Sequence, residues 1–107
     1  MILSTPENLG QAPLWENHII AQAVQASLGL IPRNALAVGI SVSGPVTEFF
    51  FQMSALTDDD EKDMNDIVDE FVMLVGDGVR AGKRHEVRTS RVISPFDGVC
   101  WIFLARN

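Results

Sequence analysis

The sequence predicts an α+β domain with the element order α-β-β-α-β-β, folded as a four-stranded, mainly antiparallel sheet with two helices on one face. Three observations carry that prediction. Two segments repeat apolar residues at helical spacing, four segments alternate at every second residue, and Gly, Pro and Ser clusters separate them. At 107 residues, 47% of them hydrophobic, the chain reads as a single domain, 1–107, with one core that needs no disulfide or structural metal.

The first dozen residues, rich in Pro, Gly, Asn and Gln, read as an arm or loop over 1–12. Residues 14–30 read as a helix because Trp15, Ile19, Ala23, Ala26 and Leu30 fall on one stripe, widened by Ile20 and Val24. Pro13 suits a first turn, and Gly29 and Pro32 end the helix. Residues 35–42 alternate as a strand, with Leu36, Val38, Ile40 and Val42 on one face and the small Ala35, Ala37, Gly39 and Ser41 on the other. Ser43-Gly44-Pro45 turns the chain into a second strand, 46–55, and the two form a hairpin.

Residues 58–75 carry the strongest signal. Thr57 is a good N-cap, and Asp60 three residues on completes the outline of a capping box. Met64, Ile67, Val68, Phe71, Leu74 and Val75 form the apolar stripe, and Gly76 follows as its C-terminal stop. Residues 76–83 read as a loop. Residues 84–93 alternate but are polar on both sides, which suits an edge strand guarded by charge. Ser94-Pro95-Phe96-Asp97-Gly98 is a turn. Residues 99–105 are apolar on both sides, which predicts a central strand paired in a second hairpin, with Cys100 as a buried packing residue. A sheet this apolar calls for a second cover, which a homodimer would supply.

Charge excludes some functions and suggests another. The net charge of −6 argues against nonspecific nucleic-acid binding, which is the work of Lys and Arg. Residues 1–76 set eleven acids against Arg33 and Lys62, whereas residues 77–107 set six cations against Asp77, Glu86 and Asp97. The N-terminus lacks the basic start and apolar stretch of a signal peptide, no window is long and apolar enough to span a membrane, and the single cysteine suits a reducing compartment. The expectation is a cytoplasmic protein.

The acidic helix is the main candidate site. Its first-turn carboxylates, Asp58 to Glu61, complement the helix dipole, so a solvated helix face accounts for them. Asp66, Asp69 and Glu70 lie beyond that turn. Asp59, Asp63, Asp66 and Glu70 are spaced four, three and four apart, so they line one stripe, and neighbouring like charges there cost about 0.2–0.5 kcal/mol per pair. A basic protein partner would relieve that repulsion and be steered in by the field. The acids do not match an EF-hand, because Asp63 stands where the loop needs Gly, so no metal is expected. No cofactor is expected either.

The basic cluster Arg80, Lys83, Arg84, His85, Arg88 and Arg91 is the second candidate. Edge protection and pairing with the acidic helix explain most of it, while Arg84, Arg88 and Arg91 form a candidate anion-binding set. The segment Gly76–Lys83 has the wrong spacing for a phosphate-binding loop, with Arg84 where Ser or Thr is needed. For hydrolysis the nearest set is Cys100, His85 and Asp97, which a hairpin would bring close. Nothing local to Cys100 supports activation of its thiol, so no catalytic residue is assigned.

A small, acidic, cysteine-poor domain with an unneutralised carboxylate stripe and no catalytic set resembles the bacterial immunity proteins that neutralise toxin domains, in particular those of contact-dependent growth inhibition systems. The resemblance is one of overall profile and matches no motif. It implies a non-enzymatic inhibitor that fills the groove of a basic, nuclease-type toxin domain, with Asp59, Asp63, Asp66 and Glu70 standing in for phosphates and Asp69 beside them. The alternative is a small-ligand-binding or enzymatic domain with a pocket between the first helix and the sheet, lined by Trp15, Trp101 and the Phe residues. A third reading is a structural subunit that oligomerises through its sheet.

Overall fold

The computed structural model describes residues 12–93 and 98–105. The expected arm lies outside them except for Ala12, and so do four of the five residues of the expected turn at 94–98. The chain is α+β, in the order α1 (Ala12–Ser27), β1 (Ala35–Ser43), β2 (Val46–Met53), α2 (Asp58–Val75), β3 (Arg80–Val87) and β4 (Cys100–Leu104). One four-stranded sheet runs β3-β2-β1-β4.

The β1–β2 hairpin forms as expected, closing on the Ser43–Val46 pair. Its alternation decides what is core. Val38 and Ile40 face Phe51 and Phe49 across the ladder, and together with Met53 they are fully buried. Both helices cover this inner face. Ile19, Ala23 and Ala26 come from α1, and Met64, Ile67 and Phe71 come from α2. Phe49 and Phe71 meet edge to face at 5.2 Å and 81°, a contact worth about 0.5–1.5 kcal/mol beyond its area. Leu74, expected in the α2 stripe, is instead 41% exposed. The start of α1 is tied to the hairpin by Trp15 Nε1, which donates to Gly44 O at 2.9 Å.

The Thr57 cap is present. Asp60 N donates to Thr57 Oγ1 at 3.1 Å, and Thr57 N donates back to Asp60 Oδ2 at 3.0 Å. The far end stops at Gly76, whose φ of 76° is open to glycine and costly for other residues.

Three expectations about the second half of the sheet are corrected. First, β3 pairs parallel with β2, from Val46–Arg80 to Met53–Val87, and not antiparallel with β4. Helix length gives the reason. An 18-residue helix spans about 27 Å, close to the length of an eight-residue strand, so α2 carries the chain back to where β2 began and the next strand runs alongside. That pairing also draws residues 80–83, expected as loop, into the strand. Second, β4 lies at the free edge beside β1 and not at the centre. Third, Cys100 is exposed and not buried. The expectation that β3 is an edge strand does hold.

Since β3 and β4 occupy opposite edges and the helices fill the inner face, the chain after β3, described as far as Ile93, crosses β2 on the outer face. Gln52, which points outward from β2, grips that crossing segment. Its Nε2 donates to Val92 O at 2.6 Å and its Oε1 accepts from Val92 N at 2.8 Å, so an amide side chain takes the role of a neighbouring strand. Arg91 pins the same segment to the carbonyl of Ala105. The small face of β1 is filled locally, because Val99 and Trp101 lie over Gly39 so closely that a Cβ there would stand 2.3 Å from Val99 Cγ1.

Candidate functional site

Two surfaces collect the charged side chains singled out by the sequence. The first is the solvent side of α2. Asp59, Asp69 and Glu70 are exposed, and Asp63 and Asp66 are half-buried. Lys62 reaches Asp66 at 3.0 Å, four residues along the helix. Hydrogen bonding to Asp66, helped by its charge, raises the Lys62 pKa. Arg33 and Lys62 border the polar hollow beside Asp59 and Asp63. Among the described residues, Lys62–Asp66 is the one ion pair on the helix. The arginines on and just after β3 form no ion pair with it among the described residues. Arg84 pairs with Glu48 at 2.6 Å and Arg88 with Glu86 at 3.5 Å, both outside α2. Internal pairing between the basic strand and the acidic helix, one of the structural explanations for the cluster, is therefore absent among the described residues.

Asp60 is set apart from that surface. It is 1% exposed, and its carboxylate also accepts from Asn34 N at 3.3 Å and Asn34 Nδ2 at 2.7 Å. Burial pushes its pKa up, but the hydrogen bonds from Asn34 and Thr57 outweigh burial and hold it below the usual aspartate value. It is a structural joint between α2 and the entry to β1.

Helical spacing extends the carboxylate stripe past Glu70. Three and four residues after Glu70 stand Met73, 79% exposed, and Leu74, with Val72 also exposed. The face thus passes from acidic to apolar along one helix, and the signal was present in the sequence. Leu74 shares the spacing of Ile67 and Phe71, yet it is exposed while Val75 beside it packs against the core.

The second surface is the outer face of the sheet. Between β3 and the crossing segment lies a cleft of about 310 Å³, bounded by Phe50, Arg84, His85, Val92, Val99 and Trp101. Arg84 stands over the Phe50 ring, its Cζ 5.9 Å from the centroid. The three arginines of the candidate anion set do not converge here. Arg88 turns to Glu86 and the carbonyl of Ser90, and Arg91 is spent on Ala105, which leaves Arg84 at the cleft.

The structure separates the nearest hydrolytic set. His85 and Cys100 sit on opposite edges of the sheet with β1 and β2 between them, and Asp97 lies outside the described residues. The residues expected around a pocket beneath the first helix are likewise dispersed. Trp15 caps the hairpin, Phe49, Phe51 and Phe71 pack the core, and Trp101 lines the opposite face. At the end of α1 a smaller hollow of about 180 Å³ meets Ile102 and Phe103. No group of three or more His, Cys, Asp or Glu side chains among the described residues is arranged to hold a metal ion. No helix among them is long and apolar enough to cross a membrane. Neither the protein-family models nor the curated proteins compared with this chain match it.

Proposed function

We propose that the chain is a non-enzymatic binding protein whose α2 surface docks a basic protein partner. The observation that carries the proposal is the row Asp59, Asp63, Asp69 and Glu70. None of these is paired with a cation of the chain among the described residues, and the row runs directly into exposed Met73 and Leu74. Acidic residues beside exposed methionine and leucine offer what a protein interface uses, a charge pattern that steers and orients the partner and an apolar patch that is desolvated on contact. In its narrower form the partner is a cationic nuclease-type toxin domain and the protein is an immunity-type inhibitor acting in the cytoplasm. The carboxylates would then occupy the groove that otherwise holds phosphates.

The test is a pull-down with the wild-type chain and with a D63K/D66K variant, followed by affinity measurements at two salt concentrations on the captured protein. A basic partner held by wild type, weakened by added salt and lost by the folded variant is the expected result. Equal capture by both proteins would remove α2 from the mechanism.

A further inference from the structure

We infer that the cleft on the outer face of the sheet is a binding site for a small planar aromatic anion, specifically an aromatic carboxylate. The site is independent of the α2 surface. Its volume of about 310 Å³ falls at the lower end of small-ligand sites, roughly 300–1,000 Å³. Its floor is aromatic, with Phe50 and Trp101 flanking Gly39 across the ladder and Val92 and Val99 contributing apolar walls. A flat ring of one or two fused cycles would lie along this lining, beside the Phe50 face that Arg84 covers.

Arg84 selects the charge. Glu48 Oε1 approaches its Nε at 2.6 Å, and its Cζ stands 5.9 Å from the centre of the Phe50 ring. Beyond Glu48, Arg84 makes no hydrogen bond or ion pair among the described residues. A guanidinium held on one side by a protein carboxylate presents parallel N–H groups on the other, the geometry that accepts a carboxylate in bidentate fashion. The surroundings favour an anion. The charged residues of the cleft lining are Arg84 and Glu86, and Glu86 is paired with Arg88 at 3.5 Å, while the strongly acidic α2 sits on the other side of the sheet. A multiply charged phosphate would find one free fork and an apolar floor, a poor match to its hydration.

The experiment is an amide and indole NMR titration of the full chain with 2-naphthoate, with the neutral isostere 2-naphthylmethanol, and with inorganic phosphate alone. The expected result is saturable shifts at Gly39, Phe50 and the Trp101 indole, with naphthoate bound about tenfold more tightly than the alcohol, the ratio that one charge-assisted hydrogen-bond pair provides. R84Q should bring the naphthoate affinity down to that of the alcohol, and R84K, which keeps the charge but loses the planar fork, should bring it most of the way. Arg84 is 72% exposed in its side chain, so both variants retain the core. No saturable shift with naphthoate, shifts that map away from these residues, equal affinity for acid and alcohol, or phosphate binding as tightly as naphthoate would each overturn the assignment.

Discussion

Replacing Asp60 by Asn tests how far one buried carboxylate joins the two halves of this fold. Asp60 accepts four hydrogen bonds, from Asn34 N, Asn34 Nδ2, Thr57 N and Thr57 Oγ1, and three of them converge on Oδ2. An amide has one acceptor oxygen. If that oxygen replaces Oδ2, the amino group is turned toward the Asn34 N–H, donor against donor. The variant therefore keeps the volume, loses the charge and leaves a buried amide unsatisfied, at a cost of about 2 kcal/mol. Asp60→Ala also removes the cap partner, for about 3 kcal/mol. For a domain of this size the Asn variant should melt about 8–16 °C lower. Urea unfolding at pH 7, followed by circular dichroism, measures the difference as a shift in midpoint with unchanged slope. The pH dependence adds a second check. The folded pKa of Asp60 lies below the unperturbed 3.8, so its contribution is complete above that value and is lost as pH falls through the lower, folded value. The gap between wild type and Asp60→Asn should thus stay constant from pH 7 to about pH 4 and close only below that. A gap under about 0.5 kcal/mol at pH 7, or one that closes between pH 7 and 5, would refute the reasoning.

Two further substitutions probe the sheet. Gly39→Ala would place a Cβ 2.3 Å from Val99 Cγ1 and 2.7 Å from Trp101 Cε3, so the variant should lose about 1–3 kcal/mol in urea unfolding and alter Trp fluorescence. Thr47 is 1% exposed and its hydroxyl has no hydrogen-bond partner among the described residues, so Thr47→Val, close in shape, should stabilise the protein by about 1 kcal/mol and raise its melting temperature.

The helices, the first hairpin and the capping box were legible because each depends on neighbours within a few residues. Thr57 and Asp60 bond across one turn, and the alternation from Leu36 to Met53 is local to two adjacent strands. The candidate sites were legible only in part. The spacing of Asp59, Asp63, Asp66 and Glu70 could be read directly, whereas the grouping of Arg84 with Phe50 and Trp101 joins three strands and has no counterpart in sequence distance. Composition also misled at β4. An apolar run on both sides suggested a central strand, but at the edge Trp101 and Val99 cover Gly39 while Cys100 meets solvent.

By itself the sequence determined the class of the fold, the number and order of its elements, and the concentration of negative charge on α2. These follow from side-chain periodicity and turn chemistry, which act over a few residues. Tertiary structure alone decided that β3 runs parallel to β2, that β4 goes to the far edge, and that Gln52 and Arg91 fasten a crossing segment over the outer face. Those outcomes depend on matching the length of α2 to that of β2 and on which edge remains open once the helices have filled the other side. Such quantities exist only after the elements have packed.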